Sequence, residues 1–143
     1  VGAAAVCEHG NEWRSCPSFL GTRRLEVFNA ELWGIWLALE VAIENRATLQ
    51  MHGAEIVAVF SNSQAAIQRA AHLEAALEQR LAWGINRRAR SLLAHVIATE
   101  ILWLLAHCGI PGNEGADRQA NLAPDASGSK VIEQPYTFAS NWA

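Results

Sequence analysis

Residues Ile56–Phe60 read IVAVF, an unbroken apolar run followed at once by Ser61-Asn62-Ser63. A strand wet on one face alternates apolar and polar residues. This run does not, so it predicts a strand covered on both faces. Sheets of that kind carry helices as their covering layers, which constrains the chain to an α/β architecture. The three polar residues end the strand and open a helix predicted over Gln64 to about His72.

The flanking segments agree with that architecture. Phe28, Leu32, Ile35, Trp36, Leu39 and Ile43 recur at the spacing of one helical face, which predicts a helix over Phe28–Asn45. Ala30, Gly34 and Ala38 form a second row of small residues that would let this helix lie close to a sheet. Gly34 in mid-helix costs about 1 kcal/mol against Ala, and close packing offsets it. Upstream, Val1–Val6 and Trp13–Leu20 flank a polar turn around Gly10 and read as a β-hairpin. Pro17 lacks an N–H and favours an edge position for the second strand. Downstream, a helical stretch from about Leu73 to Leu93 is expected to break at Gly84. Ile97–Leu105 reads as a further buried strand, and Asn113–Leu122 as the last helix. The resulting class is α/β, with helices flanking a mixed sheet. Residues 1–123 form one domain, and 124–143 a linker, DASGS, and a C-terminal tail.

Bulk properties narrow the setting. The chain has 143 residues, 51% hydrophobic and 17% charged. That suits one globular domain with its own core. Six tryptophans imply a bulky core or an adhesive surface. Cys7, Cys16 and Cys108 are odd in number, widely spaced and without a zinc-ligand pattern, so free thiols in a reducing compartment are expected. No apolar stretch is long enough to span a bilayer, and VGAAAVC lacks the basic and long apolar parts of a signal peptide. An intracellular, non-secreted protein without a membrane partner is the expectation. The chain does not begin with Met, so a fragment or processed form is expected. The net charge of −3 argues against general nucleic-acid binding. Local clusters can override that mean.

Ligand sites in open α/β sheets lie off the carboxyl ends of the parallel strands. Ser61-Asn62-Ser63 leaves one strand there, and the loop HCGIPGNEGAD (His107–Asp117) leaves another. Glu31 is expected in the first turn of the long helix, and Asp117 one turn into the last. Carboxylates converging from different elements suit Mg²⁺, a hard cation that prefers oxygen ligands. Two such ions can activate a water and stabilise the leaving oxygen in phosphodiester hydrolysis. A nearby His107 could move a proton near neutral pH. Each residue also has a structural explanation. Glu31, Glu114 and Asp117 would favour helix N-termini, Asn62 and Asn113 are N-cap types, and His107 alone is an ordinary turn residue.

Three stretches carry a resemblance. AELWGIWLALEVAI (Ala30–Ile43), VAVFSNSQAAI (Val57–Ile67) and HCGIPGNEGADRQA (His107–Ala120) are similar to the ribonuclease H domain of eukaryotic non-LTR retroelements. The last stretch is the most specific. The resemblance implies a five-stranded mixed sheet flanked by helices, and two-Mg²⁺ (or Mn²⁺) hydrolysis of the RNA strand of an RNA–DNA hybrid. It places Glu31 and Asp117 as metal ligands and His107 as the residue assisting proton transfer or product release. Gln64 falls where relatives touch the hybrid's minor groove. Arg80, Arg87, Arg88 and Arg90, with Trp83 among them, match by position a basic handle that grips the hybrid in some relatives. The alternative for these arginines is pairing with Glu74 and Glu78.

Two departures from the family pattern matter. Asn62 stands where the family has its fourth-strand Asp, in a string otherwise read as F-S-D-S-Q-A-A. VGAAAV resembles the family's second strand, so its first strand, with a further acid, is expected to be missing. Four acids fall to two, which predicts weak metal binding and little cleavage. A missing central strand would leave backbone groups unpaired. A partner chain, a swapped segment or the tail KVIEQPYTF (Lys130–Phe138) is expected to fill the gap. Two rival readings are a non-catalytic module that holds duplex nucleic acid and a structural pseudoenzyme. A 3′–5′ exonuclease on the same fold is disfavoured, because its D-x-E is not seen.

Overall fold

A computed structural model describes residues 2–9, 12–19, 27–72, 79–123 and 130–131. Among them the chain is mixed α/β. In order it forms β1 (Gly2–His9), β2 (Glu12–Phe19), α1 (Val27–Glu44), α2 (Arg46–Met51), β3 (Ile56–Ser61), α3 (Gln64–Ala71), α4 (Gln79–Leu93), β4 (Ala98–Trp103), α5 (Pro111–Leu122) and β5 (Lys130–Val131). The strands make two separate sheets, not one of five strands. One has the order β1-β2-β5, and the other is the parallel pair β3-β4.

The hairpin forms as expected, with β1 and β2 antiparallel from Gly2↔Phe19 to His9↔Glu12. Pro17 pairs with Ala4 on one side, and β5 joins only beyond it, at Ser18 and Phe19. The missing N–H of Pro17 therefore interrupts no ladder on its outer side. The same pairing places Lys130–Val131 at the outer edge of β2, on the side away from β1. That part of the tail does not lie beside β3. The linker and the rest of the tail fall outside the described residues.

Helix α1 is the spine that both sheets share. Ala30 and Leu37 are buried with Ala3 and Ala5 of β1, and Cys16 and Trp33 pack against them. Leu32, Ile35, Leu39 and Ala42 are buried with Val59 of β3, Ala66 and Ala70 of α3, Ile85 and Leu92 of α4, and Ile97. Trp36 and Ala38 touch both clusters. The small-residue row does what its composition implies: a Cβ at Gly34 would meet the Ala4 carbonyl oxygen at 3.5 Å. Side chains alternate across a strand, so the other face of β1 is free for α5. There Gly115 approaches Val6, and a Cβ at Gly2 would overlap the Ala120 carbonyl. Strand β1 is thus covered on both faces, by α1 and by α5.

Sheet β3-β4 is not. Its inner face meets α1, α3 and α4. On its outer face Ile56 is 52% and Phe60 59% exposed, and Leu102, in register with Phe60, is also exposed. This corrects the expectation of strands buried on both sides. An apolar run reports that both faces can be buried, not that a second layer is present.

Helix α4 runs through Gly84 without a break. Gly84 is a point of close approach, where a Cβ would lie 2.9 Å from Trp36 Nε1. Trp36 stacks on Trp33 with ring centroids 4.7 Å apart, and the Arg88 guanidinium lies 3.5 Å above the Trp36 ring. Arg88 Nε also donates to Glu40 Oε2, and its Nη1 to the Gly84 carbonyl. This clamp joins α1 to α4. Asn86 Nδ2 ties α4 to α3 by donating to the Ala70 carbonyl at 2.8 Å.

The turn after α4 has an unusual occupant. Ile97 N–H donates to the Leu92 carbonyl and Val96 N–H to the Leu93 carbonyl, the paired bonds of a Schellman cap. Val96 holds the left-handed position at φ 62° and is 81% exposed. Leu92 and Ile97, which make the accompanying apolar contact, are fully buried. No helix among the described residues is long and apolar enough to cross a membrane.

Candidate functional site

The C-terminal ends of β3 and β4 lie side by side because the strands are parallel, with Ser61 opposite Trp103. Their exits are tied together: Trp103 Nε1 donates to the Asn62 backbone carbonyl at 3.2 Å. Ser63, not Asn62, caps α3, since its Oγ accepts from Ala66 N–H at 3.2 Å. The Asn62 side chain is therefore released from the capping role that its residue type suggests. Gln64, the first residue of α3, is exposed.

The second exit is the loop to α5. His107 (φ 55°) and Gly109 (φ 73°) both take left-handed conformations. Histidine is among the side chains enriched there, whereas Gly109 uses its missing Cβ. Helix α5 starts at Pro111, which uses the fixed φ of proline at the first helical position. Asn113 is thus inside the helix and is not its cap. One turn later stands Asp117, and Asn113 Nδ2 reaches Asp117 Oδ2 at 3.5 Å. Asp117 still lies in the second turn, while Glu114 stays in the first.

Glu31 is likewise beyond the first turn of α1, which holds no acid. The helix-terminus explanation for it therefore weakens, because that interaction fades within one turn. Its pKa is raised from the ordinary 4.5, first by burial and second by the charge of Asp117. Acids on the first and last helices are thus brought within electrostatic reach. His107 Nδ1 lies 3.8 Å from Asp117 Oδ2, with side-chain exposures of 80% and 34%. Asp117 is thus the common neighbour of Glu31 and His107. The Asn62 carboxamide makes no hydrogen bond to any of the three.

A like-charge carboxylate pair in partial burial favours a cation, which would lower the cost of holding Glu31 ionised. Among the described residues, no three His, Cys, Asp or Glu side chains converge as a ligand set. Glu31 and Asp117 offer two carboxylates, fewer than a two-cation site needs.

The basic helix divides in two. Arg80, Trp83, Arg87 and Arg90 recur at three- and four-residue spacing and are all exposed, Trp83 at 55%. Arg88 turns inward to Trp36 and Glu40. The sequence suggested the whole cluster; separating stripe from clamp required knowing where Trp36 lies. Glu74 and Glu78 fall outside the described residues. Sequence reading also missed Trp103 as the link between the two loops and Asn113 as a partner of Asp117. The four-residue spacing of Asn113 and Asp117 was the available signal for the latter. No protein-family model matches the chain, and no curated protein sequence matches it.

Proposed function

We propose that this chain is a ribonuclease H-type domain, built for Mg²⁺-dependent hydrolysis of the RNA strand of RNA–DNA hybrids and much reduced in that activity. The observation that carries the reading is the meeting of Glu31 on α1 with Asp117 on α5, beside His107. Glu31 and Asp117 would hold the cation, with Mn²⁺ as the alternative to Mg²⁺. Bound there, the cation would supply water activation and stabilisation of the leaving oxygen. His107 stands where it can carry a proton to or from the Asp117 side of the site. Gln64 is exposed next to Asn62, where it can meet the minor groove, the surface through which RNA-containing duplexes show their 2′-hydroxyls. Asn62 contributes an amide oxygen without charge, and this is the physical reason for the reduced rate.

A second reading is supported by the exposed stripe on α4. It is a module that grips duplex phosphates without cutting.

The test is incubation of the purified chain with a labelled RNA–DNA hybrid in Mg²⁺ and then Mn²⁺, beside Asp117→Asn and Asn62→Asp. Slow cleavage that disappears in Asp117→Asn and rises in Asn62→Asp is expected. At an effective dielectric of about 20, a unit charge about 4 Å from a divalent cation interacts by about 8 kcal/mol, twice the value for two unit charges. The added carboxylate should therefore tighten Mg²⁺ at least about tenfold. Cleavage unaffected by either substitution would overturn the reading. Salt-sensitive hybrid binding with no cleavage by any of the three proteins would favour the second.

A further inference from the structure

Both peptide groups that flank the Asn62 Cα are anchored. The first is held by β4, since the Ser61 carbonyl accepts from Leu104 N–H at 3.1 Å. The second is held at each end. The Asn62 carbonyl accepts from Trp103 Nε1 at 3.2 Å, and Ser63 N–H donates to Ser61 Oγ at 3.2 Å. In a continuing strand, successive carbonyls point to opposite sides. The bend at Asn62 instead turns two carbonyls in succession toward β4. Strand β4 answers the first with its main chain and the second with an indole.

Peptide groups are planar, so holding the planes on both sides of a Cα fixes its φ and ψ and with them the direction of its Cα–Cβ bond. The Asn62 carboxamide takes no part in this network. The capping role beside it is filled by Ser63. The network therefore aims a side chain that it does not use. Burial does not demand the Trp103 bond, because Trp103 is 47% exposed and water is an alternative acceptor for an indole N–H there. We propose that Trp103 is a positioning residue: its indole N–H sets the direction in which the Asn62 side chain leaves the backbone, where β3 and β4 end side by side.

The consequence for function rests on the nuclease reading, in which Asn62 contributes an oxygen to the cation site. Such a group is useful only when its neighbours lock it in a productive geometry. A carboxylate introduced by Asn62→Asp would gain most from a cation when the backbone already aims it. Without the Trp103 anchor it would spend part of its time directed elsewhere. One exposed hydrogen bond adds little to net stability, so its loss should disturb orientation more than folding.

The experiment compares the parent, Trp103→Phe, Ser61→Ala, Asn62→Asp, and Asn62→Asp combined with Trp103→Phe. Trp103→Phe keeps an aromatic ring and removes the donor, and Ser61→Ala releases the other end of the same peptide group. The first readout needs no metal: nitrogen relaxation of the Asn62 and Ser63 backbone amides, with Val57 and Val59 as controls within β3. Order parameters of about 0.85 are expected in the parent, falling toward about 0.6 at Asn62 and Ser63 in both Trp103→Phe and Ser61→Ala. The controls should not change. The second readout is Mg²⁺ affinity by calorimetric titration. Trp103→Phe should weaken it at least about fivefold in the Asn62→Asp background and less than about twofold in the parent. Equal order at Asn62 and Ser63 in the parent and Trp103→Phe, or equal Mg²⁺ losses in both backgrounds, would overturn the proposal. If Asn62→Asp does not tighten Mg²⁺ at all, the nuclease reading falls, and the backbone order alone decides the role of Trp103.

Discussion

The carboxyl of Glu31 on α1 and that of Asp117 on α5 form a like-charge pair in partial burial, and the cost falls on Glu31. Because its folded pKa is raised, the folded chain holds this proton more tightly than the unfolded chain does. The Glu31 contribution is therefore most favourable below the ordinary value of 4.5 and declines as pH rises through the interval up to the raised value. Glu31→Gln removes that decline. The variant should match the parent near pH 4 and exceed it in stability at pH 7.5. Millimolar Mg²⁺ should stabilise the parent at pH 7.5 and leave the variant unmoved. Urea unfolding at both pH values, with and without Mg²⁺, reads all of this. A stability difference of the same size at pH 4 and 7.5 would mean that packing, not charge, sets the effect.

The division of the α4 arginines gives a second expectation. Arg87 and Arg90 lie on the exposed stripe with Trp83, while Arg88 is committed to Trp36 and Glu40. Replacing both Arg87 and Arg90 by Ala should leave the melting temperature within about 2 °C, since surface changes cost little. It should also reduce the salt dependence of hybrid binding by roughly one unit of slope for each phosphate no longer neutralised. Arg88→Ala should do the reverse. It removes a stacked cation and leaves Glu40 without its partner, costing about 1–3 kcal/mol of stability. If Arg88→Ala weakens hybrid binding more than the double variant at equal stability, the assignment of clamp and stripe is wrong.

Much of this was legible because it depends on local pattern. The apolar spacing of Leu32, Ile35 and Leu39 identified α1 and its buried face. The turn between Leu104 and Pro111 announced itself by Gly109 and Pro111. Glu31 and Asp117 were legible as candidates from the order of elements, which leaves acids near the carboxyl ends of the parallel strands, and the resemblance added their roles as metal ligands. What stayed hidden was the outcome of tertiary choices. Gly84 reads as a helix break in isolation, and only the indole of Trp36 explains why it must be small. Asn62 and Ser63 are both good caps, and the geometry of one turn decides between them. IVAVF can be buried on two faces, but α5 lies on β1 and β2, and one face of β3 remains bare. The α2 turn, RATLQM, has no fully buried residue and rests only Leu49 against the core, too little for a periodic signal.

Gly84 allows the packing explanation to be tested against helix propensity. In an exposed helix interior, Gly→Ala stabilises by about 1 kcal/mol. Here the new Cβ would stand 2.9 Å from Trp36 Nε1 and 3.1 Å from its Cδ1. Trp36 cannot easily move aside, being stacked on Trp33 and covered by Arg88. Overpacking of this kind costs about 1–3 kcal/mol, which cancels or exceeds the propensity gain. Gly84→Ala should therefore lower stability, and it should change the tryptophan fluorescence through the displaced Trp36. A rise in melting temperature with an unchanged emission spectrum would show that the indole has room to yield.

Val96 offers the opposite sign. Its backbone serves the Schellman cap after α4, but a β-branched side chain at φ 62° is strained, and 81% exposure leaves it little packing in return. The left-handed conformation costs an L-residue about 1–2 kcal/mol that glycine does not incur. Glycine loses part of this advantage through its greater freedom in the unfolded chain, about 0.5–1 kcal/mol. Val96→Gly should consequently stabilise the protein by about 0.5–1 kcal/mol. Val96→Asn should gain less, since asparagine tolerates this region but keeps a Cβ. Both leave the buried Leu92–Ile97 contact intact, so the gain should be lost when Ile97→Ala removes the apolar half of the cap. Urea titration of the parent and the three variants, with the midpoint compared at constant slope, decides it. If Val96→Gly is less stable than the parent, the valine side chain makes a contact worth more than the strain it imposes.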